Sequence, residues 1–298
     1  MERDERRMQM NVGVLALRRL IPNHAKMVVA AHHRAQGDTV EIAAPLAAHT
    51  YDKVYVSKPF LTGEDDQTPW PCEVVRGGAG YDLTARLPEW ADTTYPAYDL
   101  YGCTYALGRI TRGCPRGCPY CLVGRMDGTR VHQVAELDDF WHGQEVVRLL
   151  DDNLTAIPDL FVAICDLLAS ERVRVMFEAL DVRLMTADMA RSLARVRRQG
   201  QVHFAFDNMK DEAGVRRGIA ALKDGGFPLS RATFYVLTNY GTTMAEDAYR
   251  VDLLDSLGVE SFVMLYDKDH ADHAHRSFAR MTNRKEIFRT THPRRRAS

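Results

Sequence analysis

Short apolar runs alternate with amphipathic helical patterns from one end of this chain to the other. That alternation admits few folds, because it calls for parallel strands joined by crossover helices. Residues 12–17 read as a first strand and 23–36 as a first helix, stopped at Gly37 where a residue tolerant of positive φ ends a helix. Residues 39–43, 53–56 and 73–76 read as further strands, the last running into Gly77-Gly78-Ala79-Gly80. Such a loop lets backbone approach a ligand or pack tightly. The stretch 88–101 (PEWADTTYPAYDLY) is rich in Pro, Asp and Tyr and reads as a connection. The pattern then restarts. Residues 105–110, 146–150, 173–177, 202–206, 232–237 and 261–266 are expected strands, with helices near 158–169, 186–199, 211–223 and 244–256. The expected fold class is α/β. A small Rossmann-like, flavodoxin-like parallel-sheet domain (1–90) and a linker (91–103) precede a partial (β/α)6 barrel with a C-terminal helix and tail (104–298).

Cys114, Cys118 and Cys121 fall in TRGCPRGCPYC, on the loop that follows the first strand of the second domain. Three thiolates at this spacing suit three irons of a cubane iron–sulfur cluster, because soft sulfur ligands favour such clusters. With only three protein ligands, one iron of a four-iron cluster stays open to bind a small molecule and pass it an electron. A structural zinc site wants four N or S ligands, and His132 is the nearest downstream histidine that would complete a Cys₃His set. Disulfides fit poorly, since three clustered cysteines cannot pair without a remainder. Cys72, Cys103 and Cys165 are scattered and read as packed thiols.

Composition narrows the setting. Six cysteines in 298 residues are too few and too uneven for a disulfide scaffold, so a reducing, cytoplasmic location is expected. No run approaches the length needed to span a bilayer. The formal net charge is −1, which gives no global basic field for nucleic acid. Arg195, Arg197 and Arg198 lie on an expected helix ending at Gly200, where cations complement the helix dipole. Arg294, Arg295 and Arg296 read as a solvated end.

The cysteine spacing, with the aromatic Tyr120 just before the third cysteine, resembles the cluster motif of radical S-adenosylmethionine (radical SAM) enzymes. The first stretch resembles a reduced cobalamin-binding-type domain of the kind found ahead of many radical SAM barrels. The lower-axial histidine pattern Asp-x-His-x-x-Gly is missing from it, and a vestigial domain without cofactor is expected. The resemblance implies a 4Fe-4S cluster whose open iron is chelated by the amino and carboxylate groups of SAM. It also implies a one-electron reductant of flavodoxin or ferredoxin type. The reduced cluster then cleaves the C5′–S bond of SAM, giving methionine and a 5′-deoxyadenosyl radical that removes hydrogen from a substrate. The cofactor carries that chemistry while protein supplies orientation and exclusion of water.

Candidate cofactor contacts follow the strands of the second domain, since barrels of this class gather chemistry at the C-terminal strand ends. Leu149-Leu150-Asp151-Asp152-Asn153 stands where the family carries Gly-Gly-Glu. A carboxylate at Asp151 or Asp152 would accept from the SAM ammonium, although Asp and Asn also serve as helix caps and turns. Arg183 suits the SAM carboxylate or, equally, an ion pair with Asp181 or Glu178. Asp207 and Asn208 would hydrogen-bond ribose hydroxyls or substrate. His270, His273 and His275 stand among aspartates, but their spacing does not put three rings on one helical face, and a solvated turn is expected.

The alternatives are a cobalamin-dependent radical SAM methyltransferase and a non-enzymatic iron–sulfur or zinc protein that senses redox state or binds a partner. A methylthiotransferase would need three cysteines in the first domain, where only Cys72 lies. Nothing in the sequence names the substrate or the oligomeric state.

Overall fold

The computed structural model describes residues 8–17, 21–285 and 288. Two compact units divide the chain, Met1–Val147 and Arg148–Ser298. The basic tail at Arg294–Arg296 lies outside the described residues.

The first unit is built on four parallel strands, β1 (Asn11–Ala16), β2 (Thr39–Ile42), β3 (Lys53–Ser57) and β4 (Glu73–Gly77), in the order β2-β1-β3-β4. Val12 pairs in register with Val40 on one side and Lys53 on the other. The central strand is buried on both faces, as parallel strands require. Val12 and Val14 are fully buried and share a core with Val29 and Ala30 of helix α1 (His24–Ala35). Each such side chain contributes about 1.5–3 kcal/mol by leaving water. Gly13 is needed because a Cβ there would stand 2.9 Å from that of Ala43. The opposite face carries Leu15, Val54 and Val56, and is shielded by Trp70 and Tyr81 from the loops flanking β4. The Trp70 indole N–H donates to Asp66 at 2.7 Å. α1 starts one residue after its expected first residue, Asn23, whose side chain accepts from the Lys26 N–H at 3.2 Å.

The stretch 91–103, expected as a linker, is packed inside this first unit. Ala97 joins the core on the α1 face, and Trp90, which opens the short helix α2 (Trp90–Thr93), stacks on His32 at 3.8 Å. Arg34 holds Asp99 through both carboxylate oxygens at 2.9 and 2.8 Å. The expected strand at 105–110 shortens to β5 (Ala106–Gly108), and β6 (Thr111–Arg112) follows it. Gly108 lets β5 pack against the Phe140 ring, which a Cβ there would meet at 2.2 Å. The Tyr98 hydroxyl pins β5, accepting from the Leu107 N–H at 2.9 Å and donating to the Phe140 carbonyl at 2.6 Å. Helix α3 (Val123–Met126) and strand β7 (His132–Gln133) complete the unit.

Strand β8 (Val146–Leu149) runs across the division between the units. The second unit then alternates α4 (Pro158–Ser170), β9 (Arg174–Phe177), α5 (Ala187–Arg195), β10 (Arg197–Arg198), β11 (Val202–Ala205), α6 (Glu212–Asp224), β12 (Ala232–Thr238), α7 (Met244–Ser256), β13 (Glu260–Leu265) and α8 (His273–Asn283). β9 lies between β8 and β10, and β12 lies between β11 and β13. The pairs β9–β10, β11–β12 and β12–β13 are parallel, so both units are mixed α/β structure with parallel sheets.

The helix expected over 186–199 ends at Arg195. Val196 turns extended, and Arg197 and Arg198 pair with Arg174 and Val175 as a strand. The dipole argument survives by another route. Arg198 reaches back to the carbonyls of Leu193, Ala194 and Val196 at 3.0–3.2 Å, placing its cation at the helix C-terminus. Among the described residues no helix is long and apolar enough to cross a membrane.

Candidate functional site

The cysteine loop leaves β6 and returns through α3. At its base β6 and β7 pair antiparallel, Thr111 with Gln133 and Arg112 with His132. Gly113 takes φ +89°, and a Cβ on it would meet the Arg130 carbonyl oxygen at 2.4 Å. Only glycine fits there. Within the loop the Cys114 N–H donates to the Gly128 carbonyl at 3.1 Å, and the Cys121 N–H to the Cys118 carbonyl at 3.0 Å. Cys114, Cys118 and Cys121 are partly exposed thiols, as are Cys72 and Cys103, while Cys165 is buried. Tyr120 is half-buried beside them.

The two ends of the loop are tied electrostatically. Arg112 donates to Asp127 at 2.9 Å and to Asp92 at 2.5 and 3.3 Å. Arg86 and Arg109 each stand 3.6 Å from the same Asp127 carboxylate, whose side chain is only 4% exposed. A buried carboxylate ringed by three guanidiniums is one whose removal leaves uncompensated charge.

The donor set fits a cubane cluster in number, softness and spacing. Among the described residues no three His, Cys, Asp or Glu side chains converge as a metal's ligands do. His132 is exposed on β7, its ring 3.3 Å from the Arg130 carbonyl. His270 and His275 hydrogen-bond to Asp267 and Asp272 at 2.8 and 2.9 Å, which is a turn and a helix cap.

In the second unit, Asp151 is 4% exposed and Asp152 half-buried, just after β8. Beside them runs a chain of hydrogen bonds. The Thr155 hydroxyl donates to Asn153 at 2.6 Å and accepts from the Asp181 N–H at 3.0 Å. Arg183 grips both oxygens of Asp181 at 2.6 and 3.1 Å and reaches Asp211 at 2.5 Å. Its guanidinium is therefore engaged by two carboxylates, while Glu178 pairs with Arg148 at 2.5 Å. Asp207 accepts from the Leu237 N–H at 2.9 Å and Asn208 from the Lys210 N–H at 3.0 Å. Asp207 thus ties the chain after β11 to β12, while Asn208 caps the short turn Met209–Asp211. Sequence reasoning missed Arg250, fully buried, which donates to the carbonyls of Phe206 at 2.6 Å and Leu237 at 2.7 Å.

It also missed a cavity of about 370 Å³ in the first unit. The cavity opens at the C-terminal edge of the sheet, against Ser57, Gly77 and Gly78 and the first turn of α1. Lys26, Arg76, Arg86, Arg109 and Arg112 line it, opposed by Asp92 and Asp127. Lys26 is 2% exposed, and its ammonium has no hydrogen-bond partner. Burial pulls its pKa down to about 7, with the nearby Asp66 opposing. His24, on the same turn, is held down to about 4 by burial and then by the charge of Arg109. A corrin with its nucleotide tail does not fit here. The volume is at the low end of the roughly 300–1,000 Å³ that drug-sized ligands occupy, and the lining is dense with cations.

No family model and no curated protein matches the chain. Its fold is similar to that of the radical S-adenosylmethionine methyltransferase TsrM from Kitasatospora setae, solved with cobalamin and a [4Fe-4S] cluster bound. The likeness has a TM-score of 0.63 at 13% identity and covers 87% of this chain and 75% of that one.

Proposed function

We propose that this chain is a radical SAM enzyme, acting on a substrate whose C–H bond is activated by hydrogen abstraction. The observation that carries the reading is the loop itself. Three accessible thiols stand within eight residues, on a loop closed at its base by a strand pair and by the Arg112–Asp127 bond at 2.9 Å. The fold likeness to a radical SAM methyltransferase supports it, and the proposal includes reading β5, β8, β9, β11, β12 and β13 as the strands of a partial (β/α)6 barrel.

Cys114, Cys118 and Cys121 would hold a 4Fe-4S cluster, which when bound supplies the electron that breaks the C5′–S bond of SAM. The chain's own residues bind and orient. The glycines at 113 and 117 turn the backbone in the left-handed region, and partial exposure of the thiols admits iron. Asp151 or Asp152 would accept from the SAM ammonium, and Tyr120 is the aromatic neighbour of the third thiol. A one-electron reductant is the implied partner.

A second reading, cobalamin-dependent radical methylation, is favoured by the cobalamin bound in the similar structure. The cavity of the first unit, at about 370 Å³ small for a corrin, speaks against it.

The test is anaerobic reconstitution with iron and sulfide, then reduction with SAM and assay for 5′-deoxyadenosine, with Cys118→Ala alongside. Product from the wild type alone is the expected result. A cluster that assembles but neither binds nor cleaves SAM would overturn the assignment.

A further inference from the structure

Lys26 breaks two local rules at once. Its ammonium is buried without a hydrogen-bond partner, where such a group costs stability. It also stands in the first turn of a 12-residue helix that carries no acidic residue there, at the end where the helix dipole is positive and cations are unfavourable. Nothing in the fold compensates. Asp66, the nearest acid to influence it, is committed to Trp70 at 2.7 Å and to Arg76 at 3.6 Å. Side chains that violate local rules without a folding gain mark functional sites.

An anion would satisfy every one of these groups. The cavity lies at the C-terminal ends of β3 and β4, beside the first turn of α1. Open α/β sheets bind ligands outside the carboxyl ends of their strands, and helix N-termini there hold phosphate. The lining has five cations against two carboxylates, and with Asp66 beside Arg76 the remaining excess matches a phosphate dianion. Val28, Tyr55 and Leu87 supply an apolar wall for an uncharged body. Gly77 leaves open space into which no neighbour projects within 4 Å.

We propose that this cavity binds a small phosphate monoester of about mononucleotide size, with the phosphate on Lys26 and the first turn of α1. The site does not depend on the cluster, and it can stand or fall apart from the radical SAM reading.

The test is calorimetric titration of the full chain with AMP, with adenosine and hydroxocobalamin as comparison ligands. The variants are Lys26→Met, which removes the charge at similar volume, and Gly77→Asp, which puts a carboxylate into the open space. Melting curves of both variants check that they fold. The expected result is AMP binding that adenosine does not reproduce, weakened at least about tenfold in each folded variant, with hydroxocobalamin neither retained nor competing. Absence of AMP binding, equal affinity in wild type and variants, or displacement of AMP by hydroxocobalamin would overturn the proposal.

Discussion

Asp127 and Arg112 meet at 2.9 Å across the base of the cysteine loop, one residue after its returning helix and one before its first glycine. The chain between residues 112 and 127 is closed by this single carboxylate and its three guanidiniums. Asp127→Asn is expected to cost about 3 kcal/mol of stability, because it leaves like charges facing one another. It should also lower the iron retained after reconstitution. Thermal melts and iron counts on the same preparations check this, and unchanged iron content would show that the clasp does not organise the loop.

Cys118→Ala and Cys165→Ala should separate cleanly. The first thiol is partly exposed and the second fully buried. Cys118→Ala should remove the cluster's optical absorption while changing stability by less than about 1 kcal/mol. Cys165→Ala should leave the absorption and cost about 1 kcal/mol through lost packing. Absorption spectra and denaturant titrations on both variants decide it.

Lys26 makes the fold pH-sensitive in a direction worked out from its lowered pKa of about 7. The unfolded chain holds this proton up to about pH 10.5, so between pH 7 and 10.5 the unfolded state binds more protons and stability rises with pH. Below pH 7 the contribution is flat and unfavourable. Lys26→Met should therefore stabilise the chain at pH 7 by roughly 1–3 kcal/mol and flatten the rise toward pH 10. Melting temperatures across that range test it; a variant less stable at pH 7 would mean the ammonium is satisfied in solution.

Arg250 and Asp247 are both fully buried and paired at 2.5 Å. Arg250→Met should destabilise by about 3–5 kcal/mol, since it strips the donors from the Phe206 and Leu237 carbonyls and leaves Asp247 charged in the interior. Urea unfolding measures it, and a change below about 1 kcal/mol would refute the bracing role.

Most elements were legible because their signals are local. The apolar runs of β3, β9, β12 and β13 end within one residue of where the sequence places them, and α1 starts one residue after its expected first residue, Asn23, which caps it instead. The misses are tertiary. Gly108 is required by a ring at Phe140, 32 positions away in sequence, and Arg197–Arg198 became strand because Arg174 and Val175 offered an edge. The residues around the cavity, from His24 to Asp127, are brought together by topology that spacing does not encode. Lys26 alone left a trace, a cation just after a helix cap where an acid is the norm. Arg183 was evenly balanced between ligand and ion pair, and the structure shows it held by Asp181 and Asp211.

Trp70 and Trp90, described as packing elements of the first unit, have one further counterpart in Trp141, and these are all the tryptophans of the chain. Each lies before Val147. Tryptophan fluorescence, excited beyond tyrosine absorption, therefore reports on the unit that carries the four-stranded sheet, the cavity and the cysteine loop. A fluorescence melt set beside circular dichroism would resolve the two halves without a label, and quenching by bound iron would be read against a silent background.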